Sequence, residues 1–179
     1  MLLDKVDLGC GLVHKQGFLR VDYNSEVAPD LCFDLEVKPW PLSSDFFREI
    51  NCSHVVEHLS DTRVFLSETV RIAKNGARFR FEFPHYSVSF IEPGHLRGYG
   101  LHALALFPQF KVEHVRLEWS PDRKDKSLLY YVLDKIITSL ANLNPYITER
   151  VFCYWVGGFS NVVLTGRIEK QNERSCYND

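Results

Sequence analysis

The sequence lacks several things, and each absence excludes a class of protein. No segment reaches the roughly 18 consecutive apolar residues of a membrane-spanning helix, and the amino terminus has no basic run leading into an apolar stretch. Neither a membrane span nor an export signal is therefore expected. No sign of charge dominates: 21 Lys and Arg against 23 Asp and Glu leave a net charge of −2. The basic footprint that nucleic acid demands is missing. Cysteine is sparse and odd in number, and Cys10, Cys32, Cys52, Cys153 and Cys176 show no Cys-x-x-Cys spacing. Most sit in apolar segments, which indicates reduced, packed thiols and a cytoplasmic location. Internal repeats and linkers are absent as well, so the 179 residues form a single domain spanning 1–179. Nothing in the sequence indicates an oligomeric state.

What is present is an alternation of short strands and helices. Lys5 to Leu8 and Phe18 to Asp22 are two strands separated only by Gly9 to Gly17. A parallel crossover normally needs about a dozen residues, so the helix between them must be reduced to a turn. Leu31 to Phe33 is a third apolar run, Pro39 and Pro41 force extended backbone, and Phe46 to Ile50 starts a short helix or turn. Ile50 to Val56 is a fourth strand. Asp61 then opens a helix carrying Phe65, Leu66, Thr69, Val70 and Ala73, and Gly76 marks its stop. Ala77 to Phe83 alternates, with Phe79, Phe81 and Phe83 on one face and Arg78, Arg80 and Glu82 on the other. Tyr99 to Leu106 is a second helical stretch.

Near the end, Phe110 to Trp119 and Asn161 to Glu169 alternate as an antiparallel hairpin. They are interrupted by an insertion at about 121–158. It begins with the charged segment 122–126 and continues into an amphipathic helix, whose stripe of Leu129, Val132, Leu133, Ile136, Ile137 and Leu140 is suited to covering the core. A lid or a partner surface is the alternative. The final ten residues are expected to fray. The whole is an α/β sheet, mostly parallel with a C-terminal antiparallel hairpin and a reduced first helix, with ligands at the carboxyl ends of its strands.

Val6-Asp7-Leu8-Gly9-Cys10-Gly11 followed by Asp22 at the tip of the next strand is a nucleotide-cofactor pattern. Gly-x-Gly allows close backbone approach, and a carboxylate there can accept ribose hydroxyls. An ordinary tight turn is the competing explanation.

Asp7-Leu8-Gly9-Cys10-Gly11, Val21-Asp22, Asp34-Leu35-Glu36 with Pro39-Trp40-Pro41, Ser53-His54-Val55-Val56-Glu57-His58-Leu59 and Arg71-Ile72-Ala73-Lys74-Asn75-Gly76, in that order, resemble class I S-adenosylmethionine-dependent methyltransferases, closest to the small type-11-like members. The resemblance covers about residues 4–119 and the final strand, and it implies a Rossmann-like methyltransferase sheet with S-adenosylmethionine as cofactor. Gly9 and Gly11 would lie beside the methionine part, with Asp7 orienting the loop. Asp22 would hold the ribose, with Cys10 and Tyr23 in the same two loops. Asp34 and Leu35 would lie against the adenine, and Ser53 and His54 near the sulfonium. The Gly9 to Asp22 interval is shorter than usual in the family, and Lys74-Asn75-Gly76-Ala77 replaces its Lys-Pro-Gly-Gly turn.

For a hydroxyl or amine acceptor the protein must accept a proton, and histidine suits that task. His85, directly after the fifth strand, is the first candidate and His95 the second, with Tyr86 and Arg97 as substrate contacts. The expected acceptor is a small-molecule, glycan-like or lipid-linked compound, and not nucleic acid. Glu57 and His58 serve as capping or packing groups. Two rivals stand against this. His54-Val55-Val56-Glu57-His58 matches the His-x-x-Glu-His signature of a zinc hydrolase, but only if residues 54–58 are helical; no metal is assigned. A catalytically degenerate protein that binds a partner through the 121–158 insertion is the other. A nicotinamide oxidoreductase lacks the helix terminus that a pyrophosphate needs.

Overall fold

The computed structural model describes residues 3–89, 92–120 and 127–170. Seven strands, β1 (Lys5–Leu8), β2 (Leu19–Asp22), β3 (Leu31–Cys32), β4 (Phe47–Ser53), β5 (Ala73–Pro84), β6 (Phe110–Glu118) and β7 (Asn161–Ile168), form one sheet in the order β3-β2-β1-β4-β5-β7-β6. β1 to β5 pair in parallel, whereas β7 runs antiparallel between β5 and β6. The β1–β2 connection holds only turns, so the first crossover helix is indeed reduced. No helix among the described residues is long and apolar enough to cross a membrane.

One face of the sheet is apolar. Phe79, Phe81 and Phe83 of β5 are buried, and α1 (Thr62–Ile72) lays Phe65, Leu66 and Ile72 against them, with the Phe65 and Phe81 rings 5.8 Å apart. Asp61 caps that helix by accepting the Arg63 N–H at 2.8 Å, which satisfies one of its otherwise orphaned donors. Burying a side chain such as Phe65 stabilises the fold by about 1.5–3 kcal/mol.

The opposite face is polar and carries ion pairs, two of them across strands, Lys5 with Glu49 at 2.9 Å and Arg167 with Glu113 at 3.0 Å, and one along β5, Arg80 with Glu82 at 2.7 Å. Exposed pairs of this kind contribute about 0–1 kcal/mol each. A trough of 1090 Å³ runs over this face, and no helical residue lines it among those described. The sheet is therefore covered on one side and open on the other.

Several boundaries differ from the sequence reading. α1 stops at Ile72 and β5 starts at once with Ala73, so Gly76 is not a helix stop. It sits at φ +81°, beside the register shift in the β4–β5 pairing between Phe47 and Glu49. Phe47 to Ile50 belong to β4 rather than to a helix. Residues 101–106 form successive turns, not a helix. Gly166 lies where β6 shifts register between Val112 and His114, and a Cβ there would come within 2.0 Å of the Lys111 carbonyl oxygen.

The insertion contains α2 (Leu128–Ala141) and α3 (Pro145–Arg150), while its charged start at 121–126 lies outside the described residues, as does the expected frayed tail from 171 onward. α2 docks by its polar side. Asp134 Oδ1 accepts the Ser120 N–H at 3.0 Å, Thr138 Oγ1 accepts the Trp119 N–H at 3.1 Å, and Asn142 pairs with both backbone groups of Leu117. These bonds cap the otherwise open edge strand β6. Most of the apolar stripe expected to cover the core instead faces outward: Leu129, Val132, Leu133, Ile136 and Leu140 are exposed, and of the six Ile137 alone packs against the core.

Candidate functional site

The carboxyl ends of β1, β2, β4 and β5 converge on one edge of the sheet. β1 ends in the glycine loop, where Gly9 has φ +68° and Gly11 φ +50°. The two glycines serve different needs. A Cβ on Gly9 would lie 2.1 Å from Val55 Cγ2, so Gly9 admits a protein side chain, whereas around Gly11 nothing lies within 4 Å and the space is open. Asp22, at the end of β2, is buried and accepts the N–H groups of Gly11 at 2.8 Å and Asn24 at 3.0 Å, one on each carboxylate oxygen. Arg20 ties the same loop from beneath by donating to the carbonyls of Gly11, Val27 and Ala28.

Asp7 is buried and accepts a hydrogen bond from the Asn51 side-chain amide of β4. Burial pushes its carboxyl above the ordinary value, with the Asn51 bond and Lys15 opposing. Burial likewise raises the Cys10 thiol. Tyr23 is exposed at 79 %. Asp34 turns inward on its own loop to accept the Glu36 N–H at 2.8 Å, and Leu35 is part of the hydrophobic core beside Trp40.

His54 follows β4 with a left-handed φ of +54°, a conformation that costs a non-glycine residue about 1–3 kcal/mol and tends to persist at functional sites. It lines both the polar trough and a second cavity of 620 Å³. Its Nδ1 lies 3.3 Å from Glu57 Oε1 and its Nε2 3.8 Å from Glu82 Oε1. Those two carboxylates, Glu57 first, hold the imidazole up at about 10. In turn His54, and then Arg80, hold Glu82 down at about 2. Glu82 also accepts hydrogen bonds from Ser53 Oγ at 3.3 Å and Asn161 Nδ2 at 2.8 Å.

The second cavity is walled by Pro84 at the end of β5, by Val88 and Ser89 after it, by His95, by Asn161 of β7, and by Trp119 and Tyr130, whose rings stack at 5.1 Å. His54 and His95 reach it; His85, Tyr86 and Arg97 do not line it. His85 is wholly buried, with Nδ1 at 2.8 Å from Ser87 Oγ and Nε2 at 3.4 Å from Glu149 Oε1 of α3. Burial lowers the affinity of its ring for a proton in spite of Glu149. Tyr86 donates its hydroxyl to the Glu149 carbonyl at 3.1 Å, and Arg97 donates to Thr62 Oγ1 at 3.0 Å and the Ser60 carbonyl at 2.9 Å. Asn51, Arg80, Glu82 and Asn161 were missed in the sequence. The polar alternation of β5 pointed toward Arg80 and Glu82, and nothing in the pattern singled out Asn51 or Asn161.

Residues 54–58 are not one helix: His54 is left-handed, and Val56–His58 make a single 3-10 turn. The helical spacing required by a His-x-x-Glu-His hydrolase is therefore absent.

No family model matches the chain, and no curated protein matches it significantly. Solved structures do, across 142 chains. One is a chain of the Haloferax volcanii complex between the Trm112 methyltransferase activator and a proposed methyltransferase, with TM-score 0.63 and 17% identity over 93% of this chain and 82% of that one. Another is an S-adenosylmethionine-dependent methyltransferase from Archaeoglobus fulgidus, with TM-score 0.59 and 18% identity over 91% of this chain and 85% of that one. A third is the geranyl diphosphate C-methyltransferase of Streptomyces coelicolor, with TM-score 0.55 and 17% identity over 93% and 70% of the two chains. The strand order, the antiparallel β7 and these likenesses agree: the chain has the Rossmann-like fold of the class I methyltransferases.

Proposed function

We propose that this protein is a cytoplasmic S-adenosylmethionine-dependent methyltransferase that acts on a small-molecule acceptor, glycan-like and lipid-linked compounds included. The observation that carries the reading is the meeting of a glycine loop and a buried strand-end carboxylate with two cavities that share His54. The donor set fits the cofactor. Each Asp22 oxygen accepts one backbone N–H and keeps a lone pair for a ribose hydroxyl, and the space beside Gly11 is open.

Methyl transfer from a sulfonium is an in-line displacement in which the bound cofactor supplies the methyl group. The chain's own part is alignment, exclusion of water and proton acceptance. Asp22 binds the ribose; Asp7, held by Asn51, together with Gly9, Cys10 and Gly11 shapes the loop; Tyr23, Asp34 and Leu35 border the adenine side. Ser53 and His54 form the boundary between cofactor and acceptor. His95, at the wall of the acceptor cavity, receives the acceptor's proton. His85 supports that wall from inside through Ser87 and Glu149, and Tyr86 and Arg97 hold the surrounding loops.

Calorimetric titration with S-adenosylmethionine and S-adenosylhomocysteine tests the reading. Saturable one-to-one binding of both supports it, and absence of binding in folded protein overturns it. A second reading, a non-catalytic protein that binds a partner through the 121–158 insertion, is favoured by the exposed apolar stripe of α2. A stable complex that forms regardless of cofactor, in a protein that binds none, would replace the first reading with this one.

A further inference from the structure

Beneath the acceptor cavity, the Glu57 carboxylate and the rings of His58 and His95 face one another. Glu57 is wholly buried, and neither carboxylate oxygen has a hydrogen-bond partner among the described residues. Its one close cationic neighbour among them is His54, whose Nδ1 lies 3.3 Å from Oε1 without hydrogen-bond geometry. A buried carboxylate with a single ion-pair contact and no hydrogen bond is under-satisfied. Two further rings point at the same oxygen, with His58 Nε2 and His95 Nε2 each 3.9 Å from Glu57 Oε1.

The other nitrogen of each ring is already committed. His58 Nδ1 lies 2.9 Å from the Gly94 carbonyl oxygen, and His95 Nδ1 lies 3.0 Å from that of Ser89. A carbonyl oxygen can only accept, so each Nδ1 carries the hydrogen. In a neutral imidazole that leaves Nε2 as a bare lone pair. Two lone pairs therefore face the Glu57 carboxylate, and neither ring donates to it. Ligating histidines are oriented in this way, through a carbonyl on the nitrogen remote from the metal.

We propose that Glu57, His58 and His95 bind a divalent transition-metal ion of the zinc class. Their ligand atoms all lie within 4.8 Å of one another. A tetrahedral ion with bonds of about 2.1 Å spaces its ligands ~3.4 Å apart, so closure needs shifts of about half an ångström. Imidazole with carboxylate suits zinc and its neighbours better than magnesium or calcium, which favour all-oxygen shells. Three protein ligands leave a fourth position, and His95 and Glu92 put that position beside the acceptor cavity.

The ligand set is not the His-x-x-Glu-His motif. It takes two residues from the 3-10 turn and the third from the loop after β5, and the two segments are tied by the Leu96 N–H to the Glu57 carbonyl at 2.8 Å. The ion's place at the cavity wall lets it hold an acceptor oxygen, and with the ion bound His95 acts as its ligand in place of accepting the acceptor's proton; that role rests on the methyltransferase reading, whereas the site itself does not.

The test is calorimetric titration of the full chain, freed of metal by a chelator, with zinc chloride, alongside the visible spectrum after addition of cobalt(II). One zinc per chain is expected, with the absorption bands of a tetrahedral cobalt site. His58→Ala and His95→Ala should each weaken zinc binding by more than about 100-fold. No one-to-one binding, or binding unchanged in both variants, overturns the proposal.

Glu57→Gln should likewise lose zinc, because an amide is a far weaker ligand than a carboxylate; zinc bound as tightly by this variant as by wild type overturns the proposal. S-adenosylhomocysteine titrated in parallel keeps the two ideas apart: zinc bound without it leaves the metal site standing and removes the methyltransferase reading, and the reverse result removes only the metal site.

Discussion

Asn142 pairs with Leu117 as a neighbouring strand would: its side-chain amide donates to the Leu117 carbonyl at 2.7 Å and its oxygen accepts the Leu117 N–H at 2.9 Å. One side chain thereby satisfies both backbone groups of an edge-strand residue. With Thr138 and Asp134 on the same side of α2, it explains why an apolar helix lies here with its polar side inward. Asn142→Ala strips both bonds. We expect a loss of about 1–3 kcal/mol and a greater tendency to aggregate through β6, measured by urea denaturation and light scattering. Wild-type stability in the variant would show that α2 does not protect this edge.

A second anchor joins α1 to the segment before β4. Glu68 accepts the Trp40 N–H at 2.7 Å and two bonds from Arg71, whose guanidinium also donates to the carbonyls of Trp40 and Leu42. The Arg71 guanidinium holds the Glu68 carboxyl below its ordinary value. Because the folded state depresses this acid, its contribution is complete above the unfolded value and is lost as pH falls through the folded one. Glu68→Gln should lower stability near neutral pH by about 1–3 kcal/mol, and the gap to wild type should close in acid. A gap independent of pH in denaturation curves would mean that the charge is irrelevant.

The parts of the fold that were legible in the sequence are those set by local pattern. Phe79, Phe81 and Phe83 alternate with Arg78, Arg80 and Glu82, and the sheet buries the first set. The spacing of α2 was legible too, but helical periodicity shows only that a helix has an apolar side. Whether a neighbour covers that side depends on tertiary contacts, here supplied by Asn142, Thr138 and Asp134. Gly76 looked like a helix stop because a positive φ serves a strand irregularity as readily as a C-cap. The strand-end residues Asp7, Gly11 and Asp22 were found at the expected edge, whereas Glu57, His58 and His95 meet only through loop closure, which no spacing rule encodes.

Asp22 does two jobs on the proposed function, bracing the glycine loop and binding ribose. Asp22→Ala should reduce S-adenosylhomocysteine affinity by about 1–3 kcal/mol, roughly 5- to 150-fold. Calorimetry provides the measurement, with circular dichroism to confirm folding. Unchanged affinity would remove Asp22 from the cofactor site.

His85 makes a prediction about acid stability. Its ring is fully enclosed, with Ser87 Oγ on one nitrogen and Glu149, itself bonded to the Leu101 N–H at 2.7 Å, facing the other. Burial lowers its folded pKa against the pull of Glu149, so the neutral imidazole is the form that the fold accommodates. In the unfolded chain the same ring titrates near 6.5. A depressed folded pKa means that the unfolded state binds the extra proton first; stability from this group is then full above about 6.5 and declines as pH falls below it. His85→Gln removes the titration while keeping polar atoms in the site. The stability difference between wild type and this variant should therefore be larger at pH 7.5 than at pH 5.5, read from urea midpoints at each pH. A difference that grows on acidification would mean that the Glu149 carboxylate, rather than burial, governs the charge of His85.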